Sequence, residues 1–278
     1  MKRFEIAAFA DEASNELLGQ IAAMKRNGIS LLEIRNVCGK NIKAISKEEA
    51  KDIRAKLDDA GIGVWSIGSP TGKISINDEF EDHLDSFKHQ IELAHILGAD
   101  HYRLFSFFET DDSEGCFQKV CGRMQAFIDA AKGSGVILGH ENEKGIYGDI
   151  AVRCKKLLDA LPELKNIFDP ANFLQCGQNT LEAWELLASY TEYMHIKDCD
   201  KNGIVVPAGT GDGNVGEILK KFIAQGGRVM TLEPHLTKFI GLSQLENGEK
   251  TKIGFAYANA DEAFDAAANA LHKLLQEV

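Results

Sequence analysis

Eight short apolar runs, rich in β-forming residues, alternate along the chain with longer stretches of helical periodicity, and this alternation limits the fold more than any other feature. The runs are Phe4 to Ala10, Leu31 to Ile34, Gly63 to Ile67, His101 to Phe105, Val136 to Glu141, Asn166 to Asp169, Tyr193 to Lys197 and Arg228 to Glu233. Between them lie segments such as Phe80 to Leu97, where Phe80, Leu84, Phe87, Ile91 and Ala94 recur at helical spacing, and the Ala- and Leu-rich Asp261 to Leu275. Asn27-Gly28-Ile29, Ala60-Gly61-Ile62, Leu97-Gly98-Ala99 and Gln225-Gly226-Gly227 place a glycine just before a strand, where a helix is expected to stop in a left-handed cap. Eight βα units in 278 residues predict one (β/α)8 TIM barrel, a fold that typically takes roughly 250 residues, occupying 1–278 as a single domain.

Hydrophobic residues at 44% and charged residues at 26% suit a globular chain with a large core, and exclude a disordered one. The formal charge of −11 argues against a nucleic-acid partner, because phosphate binding rests on Lys and Arg. Glu5 and Asp11 interrupt the first apolar run, so no secretory leader is expected, and no segment approaches the roughly 20 apolar residues of a membrane span. The six cysteines are scattered without a C-x-x-C pair and read as reduced thiols; together these features predict a cytoplasmic protein.

A (β/α)8 barrel carries its site at the C-terminal ends of its strands, so a polar residue ending an apolar run has special weight. Glu141 ends the fifth run, Asp169 the sixth and Glu233 the eighth, while His195 lies in the seventh. Three carboxylates converging on one mouth would repel one another, and a bound 2+ ion removes that difficulty. An oxygen-rich set with one imidazole points to Mn²⁺ first, with Mg²⁺, Co²⁺ or Zn²⁺ as alternatives. Lys73, in the Ser69-Pro70-Thr71-Gly72-Lys73 loop after the third strand, and Arg103 in the fourth strand are candidates for holding substrate; Lys197 and Arg35 are weaker ones. His140 alternates away from Glu141 and reads as a supporting residue.

The segments His140-Glu141-Asn142-Glu143-Lys144-Gly145-Ile146-Tyr147-Gly148-Asp149, Phe168-Asp169-Pro170-Ala171-Asn172-Phe173, His195-Ile196-Lys197-Asp198 and Gly209-x-Gly211-Asp212-Gly213, in this order and spacing, resemble the xylose-isomerase-like sugar phosphate isomerase/epimerase family over essentially the whole chain. The resemblance implies that Glu141, Asp169, His195 and Glu233 ligate one divalent metal, and that Glu141 and Glu233 flank the substrate and exchange its proton. The implied activity is isomerisation or epimerisation of a small sugar, keto-sugar or sugar phosphate, and the implied assembly is a homo-oligomer. A proton beside a carbonyl is only weakly acidic; a metal at the carbonyl stabilises the enediolate left behind, while one carboxylate removes the proton and another returns it. Relatives acting on free ketoses often carry a histidine where this chain has Asn172, which is therefore placed among the substrate-binding candidates.

Four other readings compete. A metal-dependent lyase on a keto-sugar or glycoside begins with the same proton abstraction, and a non-catalytic carbohydrate-binding subunit would keep the fold alone. A three-metal nuclease of the endonuclease IV type needs further histidines that the third, fourth and sixth strand ends do not supply. Gly211-x-Gly213-x-x-Gly216 matches a dinucleotide-binding fingerprint, but too little chain follows Glu233 to complete a nucleotide-binding sheet. Within a barrel those glycines are expected to bring the loop near the substrate, with the next helix N-terminus available to an anion. The long last loop, Pro234 to Ala258, is a candidate lid or subunit contact.

Overall fold

The computed structural model describes residues 4–239, 242 and 251–277. Eight parallel strands close into a barrel: β1 (Glu5–Ala8), β2 (Leu31–Ile34), β3 (Gly63–Ile67), β4 (His101–Leu104), β5 (Ile137–Glu141), β6 (Lys165–Phe168), β7 (Thr191–Ile196) and β8 (Val229–Leu232), with β8 pairing back onto β1. Each corresponds to one of the apolar runs. Closure leaves the barrel sheet without an exposed edge, and the connecting helices cover its outside.

The expected helices form, α3 at Glu81–Leu97 and α9 at Ala260–Gln276 among them. Helix α2, Lys47–Ala60, illustrates the local logic. It starts because Ser46 Oγ accepts from Glu49 N at 3.1 Å while Glu49 Oε2 accepts from Ser46 N at 2.8 Å, and it stops at Gly61, whose φ of 71° suits a residue without a side chain. Ala50, Ile53 and Leu57 form its buried face, and full burial of a side chain such as Leu57 contributes about 1.5–3 kcal/mol. The main core lies between barrel and helices, whereas a smaller cluster of Ala7, Ile167, Tyr193 and Val229 sits inside the barrel.

The inward face of the barrel turns polar toward its C-terminal end. Residues two apart in a strand share a face, so Tyr193, His195 and Lys197 point the same way, and all three are buried. Their inward neighbours are polar too, and supply the candidate site.

Outside the barrel, Asp198–Cys199, Ile204–Val206 and Lys252–Ile253 form a three-stranded sheet at its mouth. The third of these strands belongs to the long last loop, most of whose middle, residues 240, 241 and 243–250, lies outside the described residues. Cys38, Cys116, Cys121, Cys154 and Cys199 are free thiols, and among the described residues no helix is long and apolar enough to cross a membrane.

Candidate metal centre

Glu141, Asp169, His195 and Glu233 come together at the C-terminal end of the barrel, all buried, with one ligand atom of each lying within 4.8 Å of the others. Donors on opposite sides of a divalent ion stand at roughly twice a 2.0–2.5 Å bond, so the spacing suits one ion.

Local sequence fixes each member. Asp169 is the N-cap of α6, Pro170–Gln175, with Pro170 at the first helical position; its Oδ1 accepts from Asn172 N at 2.9 Å. That capping bond leaves Oδ2 turned toward the cluster, where it lies 2.9 Å from the Lys197 ammonium yet receives no well-angled hydrogen bond. Asn142 locks the neighbouring strand ends: its Nδ2 donates to Asp169 O and its Oδ1 accepts from Asp169 N, both at 2.9 Å. The Glu-Asn pair therefore couples the ends of β5 and β6.

His195 is held from below by a residue that sequence reasoning passed over. Glu33, fully buried on β2, accepts from Thr231 Oγ1 at 2.7 Å, Tyr193 OH at 3.0 Å and Ser66 Oγ at 3.3 Å, and lies 3.2 Å from His195 Nε2. A carboxylate only accepts, so these contacts favour a proton on each ring nitrogen, Nε2 toward Glu33 and Nδ1 toward the cluster, where it lies 2.8 Å from Glu141 Oε1 and 3.5 Å from Glu233 Oε2; a metal at Nδ1 would take the place of that second proton. Burial opposes charge on His195, but Glu141 and Glu33 on either side hold its pKa well above 6.5. Burial works to raise Glu33, but His195, with Arg103 and Thr231, holds it below the usual carboxylate value.

Three buried cations brace the carboxylates. Arg103 Nη1 donates to Glu141 Oε2 at 3.1 Å; Arg35 Nη1 donates to Glu233 Oε1 at 3.1 Å; Lys197 Nζ donates to Glu233 Oε2 at 3.2 Å. Arg35 is anchored in turn by Asp11 and Glu12, and it lies over the Phe9 ring at 4.2 Å. Burial pushes the Asp169 carboxyl up to about 7 against the pull of Lys197, and pushes Glu12 up to about 8 against Arg35. Glu233 is also opposed by burial, but Lys197 and His235 hold it well below the usual carboxylate range.

The charges test whether a cation fits. Among the described residues, Asp11, Glu12, Glu33, Glu141, Glu143, Asp169 and Glu233 face only Arg35, Arg103, Lys197 and Lys73 as permanent cations. Seven carboxylates thus stand against four permanent cations, and three of the carboxylates converge with His195 on one point, an excess of acid that a 2+ ion would offset. The donor set therefore fits a divalent metal. A second grouping, Glu12, Glu233 and His235, is geometrically close, but the Arg35 guanidinium already occupies the relevant oxygens of both glutamates.

The other candidates are placed as follows. Asn172 Nδ2 donates to Asn142 O at 2.9 Å and to Glu141 Oε1 at 3.4 Å, so it borders the cluster. Lys73 Nζ lies 3.1 Å from Glu143 Oε2 and over the Phe105 ring, above the cluster and not within it. Its loop is tightly seated: a Cβ on Gly72 would lie 1.9 Å from Phe105 O, and φ there is 89°. His140 turns away and pairs with Ser106 Oγ at 2.9 Å, a supporting contact as its alternation suggested. His235 was not anticipated. It is buried at a φ of 47°, and its Nε2 makes no hydrogen bond although Glu12 and Glu233 oxygens lie 3.5 Å away.

The glycine loop is folded around Asp198. Asp198 Oδ2 accepts from Gly209 N at 2.9 Å and Gly211 N at 3.1 Å, and its Oδ1 accepts from Gly213 N at 3.0 Å and Cys199 N at 2.9 Å. The loop cradles the chain's own carboxylate, so those amides are closed to a pyrophosphate or any outside anion. A Cβ on Gly211 or Gly213 would lie 2.5 or 2.6 Å from Asp198 Oδ1, which explains the spacing of the glycines.

A closed parallel barrel with a buried carboxylate and histidine cluster at its C-terminal mouth defines a TIM-barrel protein with a candidate metal centre. Residues 21–272 match the family described as xylose isomerase-like TIM barrel, and the chain belongs to that family. No curated protein matches the sequence. Solved structures share the fold at low identity. The probable 3-DHS dehydratase AsbF of Bacillus anthracis is 15% identical, with a TM-score of 0.75 over 97% of this chain and 98% of that one. D-allulose 3-epimerase from Methylomonas sp., in complex with D-allulose, is 15% identical with a TM-score of 0.75 over 100% and 98%. The IolI protein with a bound zinc atom is 14% identical with a TM-score of 0.75 over 99% of each chain.

Proposed function

We propose that the chain is a divalent-metal-dependent isomerase or epimerase of a small sugar, keto-sugar or sugar phosphate, with Glu141, Asp169, His195 and Glu233 as the metal ligands. The observation that carries this reading is the pairing of two glutamates across one buried cluster, each braced by its own arginine, Arg103 on Glu141 and Arg35 on Glu233. Similarity in fold to a D-allulose 3-epimerase and to a zinc-bound IolI supports it.

A bound divalent ion would supply positive charge where a carbonyl oxygen turns anionic. The chain's own groups do the rest. One of Glu141 and Glu233 takes the proton from the carbon beside the carbonyl and the other returns it, with return to the same carbon inverting it and return to the neighbour isomerising the sugar. Lys197 and Arg103, already among these carboxylates, offer hydrogen bonds to substrate oxygens. Burial keeps bulk water from competing for the proton.

The deciding experiment incubates Mn²⁺-loaded protein with a panel of ketoses, ketose phosphates and 3-keto-glycosides in D₂O. The expected result is turnover of one panel member with deuterium entering beside the carbonyl. Turnover with the substrate hydrogen fully retained would overturn the two-glutamate proton transfer, and loss of water from the product would move the chain to the lyases.

Glu33→Gln tests the support of His195 without touching a ligand. Glutamine keeps the size, but its amide has only one oxygen to offer and presents two donors to a pocket that already supplies donors. Mn²⁺ affinity measured by titration should fall about 10- to 100-fold, the usual effect of losing such a partner. Unchanged affinity would show that His195 is oriented without Glu33.

A further inference from the structure

Above the cluster the barrel mouth opens into a cavity of about 430 Å³, with Asn172, Lys197, Glu143 and His235 on its inner wall. Its charged lining is one-sided. Its charged side chains are Lys144, Lys197, Lys201 and Lys252 against Glu143; Lys197 is turned down onto Asp169 and Glu233, and Glu143 is paired with Lys73, which leaves Lys201 and Lys252 as lysines of the outer rim. On a chain of net charge −11, a cleft of this sign runs against the background.

The outer part of this wall is held in place by specific contacts. Lys201 lies in the turn between Asp198–Cys199 and Ile204–Val206, and Lys252 on the strand Lys252–Ile253 that pairs with the latter. The turn is tied down where Lys201 N donates to Asp212 Oδ2 at 2.9 Å and Gln175 Nε2 donates to Gly203 O at 3.3 Å. Lys252 Nζ reaches across to Asn202 O at 3.2 Å. Neither the Lys201 nor the Lys252 ammonium has a carboxylate within 4.0 Å among the described residues, unlike Lys155 or Lys221, which are matched by Asp159 and Glu185 on the outer helices. Lys201 has Asp200 as a charged neighbour and Lys252 donates to a backbone oxygen, so neither ammonium is held in a carboxylate pair among the described residues, and both stand at the rim of one cavity. An anionic group on the ligand would gain charge-assisted hydrogen bonds there that a neutral sugar could not.

We propose that the rim formed by Lys201 and Lys252 is an anion subsite, and that the substrate is a small carbonyl compound carrying a phosphate or carboxylate at the end remote from the reacting carbon. The inference rests on the cluster below being the reacting centre. It gives the three-stranded sheet at the mouth a function: it holds the two lysines over the cavity.

The test compares binding of D-ribulose, D-ribulose 5-phosphate and 5-keto-D-gluconate to the Mn²⁺-loaded full chain by calorimetry at low salt. At least one anionic ligand should bind about tenfold tighter than D-ribulose, consistent with one or two charge-assisted hydrogen bonds. Which of the two binds tighter tells phosphate from carboxylate recognition. The advantage should fall toward one in Lys201→Ala/Lys252→Ala, survive in Lys201→Arg/Lys252→Arg, and shrink with added salt. Both lysines are exposed, so the variants should keep the wild-type Tm, which is measured alongside. D-Ribulose binding as tightly as both anions, or an anion advantage undiminished in the alanine variant, would overturn the subsite. Because binding is read without turnover, a failure of proton exchange leaves this result standing, and turnover of a neutral ketose with no anion preference defeats the subsite alone.

Discussion

Glu141→Gln and Glu233→Gln will each lower kcat by a factor of about 10²–10⁴, the range associated with losing a positioned acid or base. Glutamine keeps the shape and one acceptor oxygen, so Arg103 Nη1 and Arg35 Nη1 retain a hydrogen-bond partner at 3.1 Å, but the amide accepts no proton. Two other consequences need separating from the chemical one. Each substitution removes a candidate ligand, so bound metal is measured in both variants and kcat is taken at saturating Mn²⁺. Each also leaves a buried guanidinium with less opposing charge, a change that costs up to about 3–5 kcal/mol when a buried partner is lost outright, so Tm is followed as well. A variant that is folded and metal-loaded yet inactive assigns the loss to the proton. Wild-type kcat in either variant would remove that glutamate from the chemistry.

Much of this site can be read from strand ends alone. Glu141, Asp169 and Glu233 each terminate an apolar run, and His195 sits inside one, so the barrel geometry predicts their meeting before any coordinate is known. Arg103 was legible for a related reason, since a guanidinium inside a strand needs a partner, and it finds Glu141. What stayed hidden depends on contacts between distant parts of the chain. Glu33 is 162 residues from His195, and in Leu31-Leu32-Glu33-Ile34 it looks like any charge on a strand. The available signal was parity: Glu33 sits in a strand whose other positions are apolar, so an outward, solvated carboxylate was the wrong default. His235 owes its place to a left-handed backbone just after Pro234, which residue type alone does not announce. The glycine loop shows the opposite failure. Its spacing was legible as an anion cradle, but that the anion is Asp198, supplied by the chain itself, is visible only once the side chain is seen among the four amides.

The second large effect concerns the ion. Protein stripped with a chelator and then given Mn²⁺ at a hundredfold excess over Kd should gain about 2.7 kcal/mol of stability, because the ion binds only the folded arrangement of four distant residues. For a chain of this size that corresponds to a rise in Tm of roughly 5–10 °C. Elemental analysis of the reloaded protein should give one ion per chain. Asp169→Ala and His195→Ala should each abolish most of the Tm shift at the same Mn²⁺ concentration, but for different reasons. Removing Asp169 deletes the carboxylate whose Oδ2 is buried without a well-angled hydrogen bond, and leaves Lys197 closer to acting as a resident cation beside Glu233. Removing His195 deletes the imidazole and strands Glu33, now buried with Thr231, Tyr193 and Ser66 but without its positively polarised neighbour, so this variant should also lose stability before any metal is added. A metal-free Tm lowered in His195→Ala more than in Asp169→Ala would fit that difference. No Tm response to Mn²⁺, Mg²⁺, Co²⁺ or Zn²⁺ in the wild-type chain would defeat the metal centre. A stoichiometry near three would instead require ligands beyond the one complete set that the strand ends bring together.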